Sequence, residues 1–176
     1  MSDLQSKLDQ IKSKESFLER IKRHIPGYDG YLNKDNSREL DTILRNQLAT
    51  GLEQNKTKIK NATQSLTRNG RLFEAGDIDK IDKKNENAIA KLRSAARGYS
   101  GAFDVVKIQE DKLNMVYDFD SALFGFNENL DTYFSELENN CDGNLDIKES
   151  VKKISAALDE LLKKFDERET LLRSFS

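Results

Sequence analysis

The chain has 176 residues, of which 36% are hydrophobic and 34% are charged, and its mean hydropathy is -0.75. This length suits a single domain, and this polarity suits helices with one apolar stripe rather than a thick mixed core. A formal net charge of -2 provides no overall positive field for phosphate backbones, which argues against nucleic acid as a partner. With one His, one Cys and no Trp, the sequence predicts a non-enzymatic protein without a cofactor.

The sequence predicts a cytoplasmic protein with no integral membrane segment. No stretch approaches the ~20 consecutive apolar residues that are needed to span a bilayer. Cys141 alone cannot form an internal disulfide, which fits a reducing compartment. No basic residue lies near Cys141 in the sequence to activate its thiol, which argues against a catalytic cysteine.

Apolar residues recur at three- and four-residue steps along most of the chain, the spacing that stacks side chains on one face of a helix. Pro26 and Gly27 end the first helix, and Asn36 with Glu39 has capping-box spacing at the start of the second. The short apolar run 105–108 would be an isolated strand, so we interpret it as a link between helices. The predicted helices cover residues 3–24, 37–68, 77–97, 110–140 and 145–173.

The fourth predicted helix carries a wide apolar face between Val116 and Leu137, which places it centrally, in contact with more than one neighbour. The last helix repeats apolar residues from Val151 to Leu172 at close to heptad spacing. We therefore predict an all-α fold, an antiparallel bundle of four to five long helices in a single domain over residues 1–176. The heptad spacing leaves an extended coiled-coil pair open.

Charge is distributed unevenly along the chain. Residues 109–142 contain nine acids and one base, whereas residues 54–73 contain five bases and no acid. Three interpretations follow from this contrast. The two regions attract each other within the bundle, they are simply solvated faces, or one of them meets a partner of opposite charge.

The segment 138–149 resembles a calcium-binding EF-hand loop. In that pattern Gly143 makes the bend and Leu145 points inward, but Glu138 stands where an Asp is expected and no second loop completes the usual pair. An ordinary turn in which Asn144 or Asp146 caps the next helix accounts for the same residues, so we predict no metal and keep a calcium-responsive module as an alternative. The candidate calcium ligands are Glu138, Asn140, Asp142, Asn144, Asp146 and Glu149.

Two similar loops interrupt the helical pattern. The segment 25–31 reads Ile-Pro-Gly-Tyr-Asp-Gly-Tyr, and the segment 98–103 reads Gly-Tyr-Ser-Gly-Ala-Phe. These strings resemble two signatures of a prokaryotic family of small helical proteins, and the resemblance extends over residues 18–125. It implies a helical fold and transfers no activity.

If the second and third helices form a hairpin, both loops lie at the same end of the bundle. We predict a cluster of aromatic and arginine side chains there, which serves either as loop packing or as a partner-binding patch. The predicted members are Tyr28, Tyr31, Arg38, Arg97, Tyr99 and Phe103.

These features together predict a protein–protein interaction or scaffold protein. The main alternative is a peripheral membrane or stress-associated assembly protein, in which the first helix lies on anionic lipid. Residues 2–23 contain six bases and four acids, a weak charge excess for that purpose. A homo-oligomer also stays open, since a second copy would cover an exposed apolar stripe on the first or last helix equally well.

Overall fold

The computed structural model describes residues 2–28, 34–94 and 110–174. Within these ranges the chain is helical and contains no strand, which confirms the all-α prediction. The elements are α1 (Ser2–His24), α2 (Lys34–Arg68), a 3₁₀ turn (Leu72–Glu74), α3 (Ala75–Ser94), α4 (Glu110–Asp142) and α5 (Lys148–Arg173).

Four of the predicted helix boundaries differ from the observed ones by two or three residues. α2 begins at Lys34, so Asn36 lies inside the first turn instead of capping it. α4 continues to Asp142, and α5 begins at Lys148. Apolar spacing predicts a helix but does not specify the hydrogen bonds of its last turn, which explains these differences. The predicted end of the third helix at 97 and the apolar run 105–108 lie outside the described residues.

Four helices form two antiparallel hairpins, α2–α3 and α4–α5. In the first hairpin, Asn85 of α3 is fully buried and donates a hydrogen bond to the Leu52 carbonyl at 3.0 Å. In the second, the Asn140 side chain donates to the Ser150 hydroxyl at 3.0 Å. Buried apolar rows from all four helices meet between the hairpins and form the core.

The two hairpins pack with α2 beside α4 and α3 beside α5, and both neighbouring pairs run parallel. Along α2 and α4, Asn127 donates to the Leu48 carbonyl at 3.3 Å and Arg68 lies 3.2 Å from Asp142, so residue numbers rise together. The bundle is therefore antiparallel only within each hairpin. α4 contacts α2, α5 and α1, which confirms its predicted central position.

The basic part of α2 faces the acidic α4. The Lys58 ammonium lies 2.5 Å from an Asp131 carboxylate oxygen, and the Arg68 guanidinium lies 3.2 Å from that of Asp142. For these bases the interpretation that the two charged regions attract each other is confirmed. Both carboxylates are largely exposed, so each pair contributes at most ~1 kcal/mol.

α1 is attached to the bundle by its C-terminal half. Ile21 and Ile25 are buried, and the His24 ring stacks on Phe124 with 5.0 Å between ring centroids. The His24 Nε2 atom also lies 3.1 Å from the Glu128 carboxylate. The N-terminal half differs, because its large apolar residues Leu4, Leu8 and Ile11 are exposed by 70%, 44% and 52%.

Four buried charged side chains connect α2, α4 and α5. Arg168 Nε donates to Asp120 Oδ1 at 2.6 Å, and Arg168 Nη1 lies 2.7 Å from Asp41 Oδ1. Arg45 Nε donates to Asp41 Oδ2 at 2.9 Å, and Arg45 Nη1 donates to the Leu92 carbonyl of α3 at 3.1 Å. The network holds two cations and two anions, so its formal charges cancel.

Replacing Arg168 tests how far the fold depends on this network. Arg168→Met leaves the Asp120 and Asp41 carboxylates buried without their shared cation, so we expect the free energy of unfolding to fall by about 3–5 kcal/mol. Urea denaturation followed by circular dichroism measures the change. The exposed Arg173→Met is the matched control and should change stability little. A loss below about 1 kcal/mol for Arg168→Met would contradict the structural role of the network.

Candidate functional site

Two connections lie side by side at one end of the bundle, which we call the Phe73 end. They are residues 69–74 between α2 and α3 and residues 143–147 between α4 and α5. The Asn69 side chain donates to the Cys141 carbonyl at 3.1 Å and joins the first connection to the end of α4. Gly70 adopts a φ of +70°, a conformation that favours glycine and allows the chain to reverse directly after α2.

Arg71 holds the two connections together. Its Nη1 atom donates to the Leu145 carbonyl at 2.8 Å, while Nε and Nη2 donate to the two carboxylate oxygens of Glu74 at 2.5 and 2.8 Å. These bonds raise the pKa of Arg71 and lower the pKa of Glu74, so both groups stay charged at neutral pH. Such a forked pair fixes orientation as well as distance, so the backbone around residue 72 is held in place.

Three large apolar side chains point into solvent from these connections. Leu72, Phe73 and Leu145 are exposed by 63%, 101% and 58%. Single exposed apolar residues are common, whereas contiguous exposed apolar patches mark sites of interaction. We call these three residues the Phe73 surface.

A groove of about 500 Å³ between α3 and α5 borders the Phe73 surface. Ile147 and Val151 contribute apolar atoms to it, and both pack against the core. Near the Phe73 end its two sides carry opposite charge, with Glu74 and Asp77 on the α3 side and Lys148 and Lys152 on the α5 side. Close to the Phe73 end, the groove therefore combines an apolar floor with one acidic and one basic side.

The Phe73 surface has only a weak signal in the sequence. Leu72 and Phe73 follow the Asn69-Gly70 turn, where helical periodicity no longer indicates which side chains are buried. The available signal is two consecutive large apolar residues in a turn. Nothing in the sequence around Arg71 indicates that its side chain bonds to the carbonyl of residue 145.

The predicted Gly-Tyr patch is described only in part. Tyr28 is fully buried in the core, where a partner has no access to its ring, whereas Arg38 is exposed. The ends of α2 and α3 that lead into the two loops lie at the same end of their hairpin, as expected. The remaining predicted members lie outside the described residues: Tyr31, Arg97, Tyr99 and Phe103.

The segment 138–149 does not form one continuous loop, because α4 extends through Asp142. Glu138 accepts a hydrogen bond from Asn61 at 2.7 Å, and Asn140 donates to Ser150 at 3.0 Å. These candidate calcium ligands thus bind side chains of α2 and α5, respectively.

The turn after α4 also departs from the EF-hand pattern. Leu145 is exposed, so the expectation that it points inward is wrong. Asp146 Oδ1 accepts a hydrogen bond from the backbone N–H of Lys148, the first residue of α5, at 3.0 Å, but the N-cap position is Ile147 and carries no side-chain cap hydrogen bond. Across residues 2–28, 34–94 and 110–174, no group of three or more His, Cys, Asp or Glu side chains is placed to hold a metal ion.

Comparison with known proteins finds no matching family model, no matching curated protein and no matching solved structure. Function must therefore be inferred from this chain's own residues. None of the described helices is long and apolar enough to cross a membrane.

Cys141 lies at the Phe73 end but faces the interior. Its side chain is fully buried, and burial raises the pKa of its thiol to about 11, with Arg71 acting in the opposite direction. The thiolate is the reactive form of cysteine, so this position is inert in the folded protein.

We expect Cys141 to resist thiol reagents until the protein unfolds. At pH 8 a pKa higher by about two units lowers the thiolate fraction about 100-fold, and burial blocks access as well. Reaction with Ellman's reagent should be at least that much slower in buffer than in denaturant. Rapid stoichiometric labelling of the folded protein would contradict the buried position.

Proposed function

We propose that this protein is a non-enzymatic interaction module that docks a protein partner through the Phe73 surface. The observation that carries the proposal is the complete exposure of Phe73, at 101%, on a backbone fixed by Arg71. Burial of such an aromatic side chain is worth roughly 1.5–3 kcal/mol, which supplies a strong anchor for a partner.

The bonds around Phe73 favour binding in a second way. A partner that contacts a loose loop must overcome the entropy of ordering it, whereas Arg71 already orders the chain around Phe73. A central aromatic anchor surrounded by polar groups is the usual composition of an energetic hot spot in protein interfaces. Glu74 and Lys148 provide such polar groups beside the Phe73 surface.

Site-specific crosslinking tests this proposal. Benzoylphenylalanine placed at position 73 should yield a discrete crosslinked protein on illumination of source-cell lysate, and mass spectrometry identifies the adduct. Benzoylphenylalanine at Ile43, a partly exposed site on α2, is the matched control and should not give that product. Absence of any adduct specific to position 73 would contradict docking at the Phe73 surface.

A second candidate function, binding to a membrane surface, is favoured by the exposed row on α1. Leu4, Leu8 and Ile11 lie on one side of a helix that also exposes Lys7 and Lys12. An interfacial helix uses this combination, apolar residues against the acyl chains and cations near anionic headgroups. Exposed acids on the same helix weaken the electrostatic part of this attraction.

Liposome flotation distinguishes this second function from the first. If α1 binds lipid, protein should float with vesicles of anionic phospholipid, and Leu4→Ser/Leu8→Ser should abolish flotation by removing the apolar contact. Phe73→Ser, which changes a different surface, should float like the wild type. Recovery of all wild-type protein at the bottom of the gradient would eliminate membrane binding by α1.

A further inference from the structure

We propose that the partner of the Phe73 surface is a second copy of this chain, in a two-fold symmetric dimer whose α3/α5 grooves face each other. This inference rests on the proposed function, because it names the occupant of the same surface. Two observations carry it, the charges of the groove and the apolar residues at its end, and two-fold symmetry brings both sets into register.

Near the Phe73 end the groove carries opposite charge on its two sides; farther along the α5 side, Asp159 is paired with Lys84 of α3 at 2.8 Å. Glu74 and Asp77 lie on the α3 side, and Lys148 and Lys152 lie on the α5 side. A partner with a uniformly charged surface would meet a like charge along one side of this groove. A copy of the same groove can present its basic side to the acidic side and its acidic side to the basic side.

Two-fold symmetry sets the order in which the sides meet. A two-fold axis parallel to the groove brings the α3 side of one copy against the α5 side of the other, at the same level along the helices. Asp77 of each copy then faces the Lys148 and Lys152 pair of the other. An axis across the groove would instead oppose acid to acid, so only the first arrangement is favourable.

The same symmetry pairs the exposed apolar residues. Phe73 lies at the end of the α3 side and Leu145 at the end of the α5 side, so the ring of one copy meets Leu145 of the other, twice per dimer. A Phe side chain buries on the order of 150–250 Å², which places the interface at the small end of specific contacts. We therefore expect a reversible dimer of micromolar affinity.

The charged side chains of the groove are accessible for this pairing. Asp77, Lys148 and Lys152 are exposed, and the contact of Asp77 with Lys80, at 3.5 Å, lies at the surface. Giving up such a solvated contact costs little.

Sedimentation equilibrium over a range of protein concentrations tests the dimer. The wild type should show a monomer–dimer equilibrium, and Phe73→Ser should weaken it at least about tenfold, since one tenfold change corresponds to ~1.4 kcal/mol and two rings are removed. Ile11→Ser, which removes an exposed apolar residue of α1, is the matched control and should leave the equilibrium unchanged. Circular dichroism verifies that each variant is folded.

Charge exchange tests the orientation. Asp77→Lys alone and Lys152→Glu alone should each weaken the dimer, because each places like charges across the interface twice. An equimolar mixture of the two variants should restore it. In the mixed dimer the lysine introduced at position 77 faces the glutamate introduced at position 152, and the unchanged Asp77 of one copy faces the unchanged Lys152 of the other. A partner other than this chain has no reason to show this complementation.

Three results would overturn the dimer: a wild type that stays monomeric at all concentrations, a dimer that Phe73→Ser leaves unchanged, or a mixture that fails to restore association. If a different protein crosslinks to position 73 while the wild type stays monomeric, the dimer is wrong and the docking surface stands. If neither crosslinking nor association occurs, both proposals fail.

Discussion

The buried network around Arg168 constrains how the two hairpins pack. Apolar stripes alone permit several pairings of four helices, because any stripe is satisfied by any other. Arg168 removes this freedom, since its guanidinium contacts Asp120 of the other helix of its hairpin and Asp41 of the opposite hairpin. An arrangement that separates these groups leaves charge buried without compensation, at a cost of several kcal/mol.

The buried network around Arg168 and the Phe73 end lie far apart in the bundle. Asp120 precedes Asp142 by 22 residues on α4, which corresponds to about 33 Å along a helix axis. One end therefore contributes charge that is hidden from solvent and determines the packing, while the Phe73 end presents apolar groups that packing leaves uncovered. A substitution at Phe73 is not expected to alter the fold, because its side chain contributes no buried contact.

The helices were predictable because apolar periodicity is local. The parallel packing of α2 beside α4 and of α3 beside α5 was not predictable. The order of the helices in space depends on the fifteen residues 95–109, and apolar periodicity does not specify their path. The sequence contains one indication of the buried network that the analysis of apolar periodicity missed. Arg168 follows Phe165 by three residues and precedes Leu172 by four, so it occupies the apolar row of α5, where a charge requires a partner. The exposure of Phe73 had no periodic signal, because it depends on the tertiary contacts of Arg71.

The parallel packing of α2 and α4 also bears on helix direction. Parallel helices place their partial negative C-terminal charges together, and Glu138 and Asp142 add to that potential at the end of α4. Arg68, in the last turn of α2, supplies a cation there that offsets both C-termini. Reversing α2 would bring this cation to the positive N-terminus of α4. The distribution of charge along α2 and α4 thus favours parallel over antiparallel packing of these two helices, and so favours one relative direction of the two hairpins.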